Sequence, residues 1–503
     1  MAGQDAIIAF LADPATHDGQ PVHRIDTHAA HVFLVGDRAL KMKRAVRYSY
    51  LDYSTLALRR AACEAEVRLN RRTAPELYLG ICSIDCRADG SLGFGGGEPM
   101  EWLVDMRRFP DDALLSDVAG RGDLTPALTI RLADAIARFH QQLEPVAGDG
   151  TTRLYRVIDG NRQSMDALPE GLLPAADVDA WHAQSLEMLD RLEPLLDARA
   201  RTGRVRHGHG DLHLRNICLF EGEPVLFDCL EFDAELAQTD TLYDLAFLLM
   251  DLRFRGLDWQ ASLLRDRYCD RMAEAEGLAA LPLFLSVRAA VRAHVNAADS
   301  LLRTDSKERA ELAATARRYL AAAVAHLRSP RVRLIAIGGL SGTGKSTLAR
   351  NLAPHFDARV LRSDVVRKTL AGVDPESRLP PASYTPEAAA AVYGEFFCQA
   401  RNLLAAGVPV IADAVFATPD ERAAIATAAD GICPFHGLWL EAPHEILHHR
   451  VENRHGDVSD ATARVVALQQ DYEIGDLVGW QRLDSSGDTE RVAANAMAQL
   501  GSL

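Results

Sequence analysis

A chain of 503 residues is too long for one ordinary hydrophobic core, so two or three domains are expected. With 48% hydrophobic and 25% charged residues it has the composition of a soluble globular protein, and its apolar runs are broken by Asp244 and Arg288 before they reach bilayer length, so no membrane span is expected. The net charge of −15 argues against broad binding to nucleic acid or anionic lipid, both of which need a positive field, yet permits a local basic pocket for a small phosphorylated ligand.

In chain order, residues 7–11 make an apolar patch with no basic residue before it, ended by Asp13 and Pro14. That is not the layout of a secretory signal, and the cytoplasm is the expected compartment. Residues 31–36 and 38–43 read as a hairpin about a Gly-Asp turn, residues 56–72 as a helix and residues 101–106 as a further strand. From about 125 to 328 the pattern is helical, interrupted by a polar, hairpin-like segment at 207–233, and residues 306–328 read as one Ala/Leu/Arg-rich amphipathic helix. Ser329 and Pro330 then punctuate the chain, and an apolar strand at 332–337 opens a new unit. Beyond it come a glycine loop, a helix from Lys345, a strand at 359–362, a long helix from Pro386, and strands at 408–413 and 435–440. Such alternation implies a parallel sheet covered by helices on both faces. The eight cysteines are scattered, and Cys82 and Cys86 lack a second pair to complete a zinc site, so reduced, mostly buried thiols are expected.

The first concentration of chemistry reads His207-Gly-His-Gly-Asp211-Leu-His-Leu-Arg-Asn216, followed by Val225-Leu-Phe-Asp228. Asp211 and Asn216 stand at the spacing of the protein-kinase catalytic loop, where the Asp orients the acceptor hydroxyl and the Asn holds a metal. Asp228 ends an apolar strand, where a magnesium-binding carboxylate belongs. Taken singly, these are ordinary turn and cap residues; their joint spacing gives the kinase reading its weight. The segment resembles the aminoglycoside phosphotransferase and choline kinase group, whose signature is H-G-D-x-x-x-x-N followed by an apolar strand ending in Asp. His209, Gly210, Asp211 and Asn216 match it, and Asp240-Thr-Leu-Tyr-Asp244-Leu-Ala is similar to that group's D-x-x-x-D-L-A helix start.

The resemblance implies Asp211 as catalytic aspartate, Asn216 and Asp228 as magnesium ligands, a strand lysine for the ATP phosphates and a helix glutamate to hold that lysine. Lys41 and Lys43 share one strand face. Lys41 is preferred because its same-face neighbour Ala39 leaves room for an adenine, and Glu66 is preferred to Glu64 because Leu69 and Thr73 follow on its side. No glycine-rich loop precedes the lysine, only Thr27-His-Ala-Ala-His31. Asp233, Glu235 and Asp251 are candidates either for an acidic acceptor pocket or for solvated helix ends.

The second concentration is Gly339-Leu-Ser-Gly342-Thr343-Gly344-Lys345-Ser346-Thr347, which satisfies G-x-x-x-x-G-K-[ST] after a strand and before a helix. The glycines let backbone N–H groups turn toward phosphates, Lys345 bridges the terminal phosphates and Ser346 ligates magnesium, so ATP or GTP is the expected ligand. Arg362-Ser-Asp364-Val-Val-Arg367-Lys368 resembles the small-molecule and polynucleotide kinases of the P-loop class, which implies Asp364 at the acceptor hydroxyl and a basic residue gripping the acceptor. Asp413 ends a buried strand and suits either magnesium-water coordination or acceptor binding. Arg450 and Arg454 share a helix face and are expected to close over the phosphates, the alternative being surface salt bridges. Residues 379–386, rich in proline, have the look of a substrate-side loop or of a rigid connector.

The order of parts resembles bacterial proteins described as bifunctional aminoglycoside phosphotransferase and ATP-binding proteins. It implies an α+β, kinase-like, bilobal domain over 1–329 (small lobe about 1–110, helical lobe about 111–329) and an α/β P-loop kinase domain with a mostly parallel sheet over 330–503. The leading expectation is an enzyme that uses ATP and Mg2+ at two separate sites to phosphorylate hydroxyls on small molecules. Two others stand beside it: a nucleotide-sensing regulator that binds ATP without turnover, and a polynucleotide 5'-hydroxyl kinase in the C-terminal half, against which the acidic charge weighs.

Overall fold

The computed structural model describes residues 4–48, 51–328, 330–452, 460, 463–469 and 471–501. Two compact units emerge, one of residues 1–157 and 197–251, the other of residues 158–196 and 252–503. These are not the two stretches on either side of Pro330.

The first unit is built on a six-stranded antiparallel sheet in the order Val22–Asp26, Ala30–Val35, Arg38–Lys43, Glu98–Arg107, Tyr78–Cys86, Leu92–Phe94. The expected hairpin is present, with Val32 opposite Lys41 and Val35 opposite Arg38. Helix Leu56–Asn70, capped by the Thr55 hydroxyl, turns Ala62, Cys63, Glu66, Val67 and Asn70 inward at helical spacing. Cys63 and Val67 meet Ala39, Val104 and Met106 of the sheet in one apolar cluster, so the helix carries Glu66 against the strand that bears Lys41. The polar segment at 207–233 is a hairpin, Ile217–Phe220 with Glu223–Leu226.

The second unit contains a five-stranded, all-parallel sheet in the order Arg359–Arg362, Val410–Asp413, Leu334–Gly339, Phe435–Glu441, Trp480–Asp484. Ile335, Ile337, Leu348, Leu352, Ile411 and Leu438 form its core against helix Lys345–Phe356. The strand Trp480–Asp484 escapes sequence reading because only Trp480 and Leu483 are buried along it, a pattern without clean alternation. Helices Asp258–Met272, Leu281–Leu301 and Ser306–His326 belong to this unit. An ionic seam explains the grouping. Arg265 lies 3.0 Å from Asp357 at the end of the helix Lys345–Phe356, Arg359 pairs with Asp270, and the Trp259 indole N–H donates to Asn351 at 3.1 Å.

Among the described residues one helical segment, Glu276–Leu301, is long and apolar enough to cross a bilayer, with a mean hydropathy of 1.4, contrary to the expectation that Arg288 breaks the run. Its window is 67% buried inside the fold, as in a core helix, and Arg288 is buried with it. Of the eight free cysteines, Cys63, Cys218, Cys229 and Cys269 are buried and Cys398 is exposed.

Candidate active sites

In the first unit the hairpin aligns the motif residues. Ile217 faces Leu226, and the Phe227 N–H donates to the Asn216 carbonyl at 3.0 Å, so Asn216 and Asp228 leave the hairpin side by side. Asp228 adopts a left-handed conformation (φ +61°), which a non-glycine residue holds only when its surroundings impose it. Two bonds do so here: its own N–H donates to the Tyr78 hydroxyl at 3.1 Å, and the next N–H, of Cys229, donates to Asn70 Oδ1 at 2.8 Å. The Asn216 amide donates to the Asp211 carboxylate at 2.8 Å and to its carbonyl at 2.9 Å, which leaves the Asn216 side-chain oxygen, a hard ligand, out of both bonds.

The loop bearing Asp211 is fixed by the helix start noted in the sequence. The fully buried Asp244 carboxylate accepts the N–H groups of His209 at 2.7 Å and Gly210 at 2.9 Å, and His140 Nε2 lies 3.1 Å away. Gly210 has φ +81°, and a Cβ there would lie 2.8 Å from Leu230 Cβ, so the position admits only glycine. Asp244→Ala would remove the carboxylate that accepts two buried amides and lies beside a buried histidine. It is expected to cost about 3–5 kcal/mol of stability, read by urea unfolding of the full chain.

Lys41 Nζ stands 2.9 Å from Glu66 Oε1 and 2.5 Å from Asp228 Oδ1. Glu66 is fully buried, whereas Glu64 is exposed and pairs with Arg60. Lys43 reaches Glu66 as well, at 2.5 Å from Oε2, and also pairs with Glu231. Burial alone would lower both lysines, but the carboxylates around them outweigh it and hold each above its ordinary value. Asp233, Glu235 and Asp251 serve locally: Asp233 caps residues 235 and 236, Glu235 makes an exposed pair with Arg156, and the buried Asp251 accepts the Leu214 N–H at 3.1 Å.

In the second unit the glycine loop joins strand Leu334–Gly339 to helix Lys345–Phe356 and lines a cavity of about 780 Å³. Gly342 has φ +86°, and a Cβ there would lie 2.7 Å from the Leu447 carbonyl oxygen. Lys345 Nζ donates to the Leu340 carbonyl at 3.0 Å, as does the Thr343 hydroxyl at 2.8 Å. The Ser346 hydroxyl donates to Asp413 at 2.6 Å, and Arg362 touches both, at 3.2 Å from Ser346 Oγ and 3.4 Å from Asp413. One hydroxyl and one carboxylate, both hard oxygen donors at the mouth of the loop, fit a magnesium ion. Asp364, Arg367, Tyr384 and Tyr393 line the same cavity, as does Thr347. Arg450 lines it too, its guanidinium donating to the Ser485 and Gly487 carbonyls at 2.9 and 3.3 Å. Arg454 lies outside the described residues.

Residues 106–284 match the phosphotransferase enzyme family and residues 334–473 match the AAA domain. The uncharacterized protein Rv2004c of Mycobacterium tuberculosis (strain H37Rv) is 34% identical over 489 residues, 94% of each chain, and Mb2027c of Mycobacterium bovis matches equally. The chain belongs to the family of Rv2004c. Its two matched segments, phosphotransferase first and AAA domain second, are those of a kinase-like phosphotransferase. Among solved structures it is similar to a choline/ethanolamine kinase family protein from Mesorhizobium loti, with 17% identity over 64% of this chain and 99% of that one, TM-score 0.38. It is also similar to a gluconokinase from Sinorhizobium meliloti, with 18% identity over 35% of this chain and 94% of that one, TM-score 0.25.

Two residues at these sites of the Rv2004c-family chain are given no role by the sequence. Arg362 opens the segment 362–368 and is the last residue of its strand, the edge where α/β sheets present ligand-binding groups, but its contact with Ser346 and Asp413 is visible only in the fold. Glu231 is a charged residue three places beyond Asp228, and what gives it meaning is Lys43, 188 residues earlier in the chain.

Proposed function

We propose that this protein is a bifunctional ATP-dependent phosphotransferase acting on hydroxyl groups of small molecules, with one ATP/Mg2+ site in the segment 1–329 and another in 330–503. The observation that carries the reading is the meeting of Lys41, Glu66 and Asp228, with a second, separate phosphate loop at 339–346 beside Ser346 and Asp413. At the first site Lys41 holds the ATP phosphates, Asn216 and Asp228 hold magnesium, and Asp211 orients the acceptor hydroxyl. At the second, backbone amides from Gly339 to Thr347 and the Lys345 ammonium hold the nucleotide, Ser346 and Asp413 serve the metal, Asp364 faces the acceptor, and Arg450 and Arg454 offset charge on the transferring phosphoryl group.

Magnesium supplies charge neutralisation on the phosphates at each site; the rest is positioning by the chain's own side chains. Calorimetric titration with a non-hydrolysable ATP analogue and Mg2+ is expected to give two equivalents for the wild type and one for Lys345→Ala. A single equivalent in the wild type rules out the two-site reading.

A further inference from the structure

The first site holds more charge than a lysine, its glutamate and a metal-binding aspartate require. Glu66 is fully buried and divides its two oxygens between two ammonium groups, Oε1 to Lys41 at 2.9 Å and Oε2 to Lys43 at 2.5 Å. Lys43 in turn is clasped by Glu231, which also accepts the Tyr53 hydroxyl at 2.7 Å, and its ammonium lies 5.3 Å from the Tyr53 ring centroid. The cluster is graded in exposure. Lys43 and Glu231 are sealed, at 2% and 9% side-chain exposure, while Lys41 and Asp228 reach solvent at 15% and 38%.

We propose that Lys43 and Glu231 are positioning residues for the first site, a buried second ion pair that fixes Glu66 and thereby makes Lys41 transferable to the nucleotide. The inference rests on the reading of this site as a Mg2+·ATP site. A carboxylate held by one lysine alone would concentrate its full charge on that lysine. With Lys43 on its other oxygen, Glu66 is locked in orientation and its pull on Lys41 is shared. Lys41 is meanwhile bonded to Asp228, the residue expected to bind the metal. Asp228 would be the carboxylate to hold Mg2+ there, which would supply charge neutralisation, and Lys41, only partly held by Glu66, would be free to serve the phosphates. Glu231 balances the charge of Lys43, which otherwise would stand buried against Lys41 on the same strand face.

The test uses the full chain carrying Lys345→Ala, so that the second site is silent, with binding of a fluorescent ATP analogue in the presence of Mg2+ and a thermal melt for every variant. Lys41→Met is expected to abolish binding. Lys43→Met is expected to weaken it roughly tenfold or more, the scale on which residues that orient a ligand-holding group act, and Lys43→Arg to restore it to within about threefold. Should Lys43→Met fail to fold, the double variant Lys43→Met/Glu231→Gln removes the pair without leaving a lone buried charge, and it is expected to melt cooperatively yet bind as weakly. Wild-type affinity in that double variant would assign the pair to stability alone and overturn the inference. So would loss of binding in Lys43→Met with retention in Lys41→Met, which would make Lys43 the phosphate lysine. If the Lys345→Ala chain binds no analogue at all, the reading of the first site fails and the inference falls with it.

Discussion

Asp211→Asn is expected to lower acceptor-dependent phosphoryl transfer at the first site by roughly 10²- to 10⁴-fold, the range contributed by a positioned acid–base group. The substitution is nearly isosteric, and the amide oxygen can still accept the Asn216 bond of 2.8 Å, so the loop held by Asp244 keeps its shape. What disappears is the negative charge that, on the proposed reading, orients and polarises the attacking hydroxyl. On the same reading, binding of Mg2+ and ATP rests on Lys41, Asn216 and Asp228 and Asp211 serves the acceptor alone, so binding is expected to change by less than about threefold. Single-turnover transfer and equilibrium nucleotide binding, measured on one preparation, separate the two effects. A parallel fall in both would place Asp211 in the nucleotide site instead.

Lys345→Ala is expected to remove nucleotide binding at the second site and to reduce its turnover by about 10²- to 10³-fold, as loss of one preorganised donor to developing charge does. Lys345 is held against its own loop, donating to the Leu340 carbonyl at 3.0 Å. That carbonyl also accepts the Thr343 hydroxyl at 2.8 Å, and the Ser341 N–H donates to Gln469 at 2.7 Å, so the loop retains other ties when the lysine is cut back. The melting temperature is therefore expected to move by only a degree or two, while protection of the chain by ATP in the melt is lost at this site. Unchanged ATP protection in a chain that also carries Asp228→Asn would contradict the assignment.

How far the sequence reached depends on the range of the interactions involved. The strands Arg38–Lys43 and Leu334–Gly339 and the helices Leu56–Asn70 and Lys345–Phe356 were legible because each is specified by its own periodicity and caps. Asp211 and Asn216 stand out in the sequence by their five-residue spacing and Asp228 by its place after an apolar strand, and the hairpin of Ile217–Phe220 with Glu223–Leu226 brings Asn216 and Asp228 side by side. The choice between Lys41 and Lys43 was not, since both occupy one face of one strand and both reach Glu66. Glu64 and Glu66 differ only in which side of the helix meets the sheet, and packing of Cys63 and Val67 on Ala39 and Val104 turns Glu66 inward.

The seam of Arg265, Asp270, Asp357 and Arg359 lay beyond reading for another reason. Charged residues on a helix surface look solvated until the partner chain segment is known, and here the partners stand about ninety residues away along the chain. Pro330 does punctuate the sequence, yet the side-chain pairs on either side of it hold the flanking helices and the parallel sheet in one unit. Local punctuation marks where secondary structure stops; it does not mark where packing stops.

The most direct measurement is ATP consumption across a library of small hydroxylated metabolites, run in parallel on the wild type, Asp211→Asn and Lys345→Ala. Two independent sites predict at least two acceptor-dependent activities in the wild type, one lost in each variant and kept in the other. If both variants retain every activity found, or if none is found while both sites bind nucleotide, the account of a two-site phosphotransferase is contradicted.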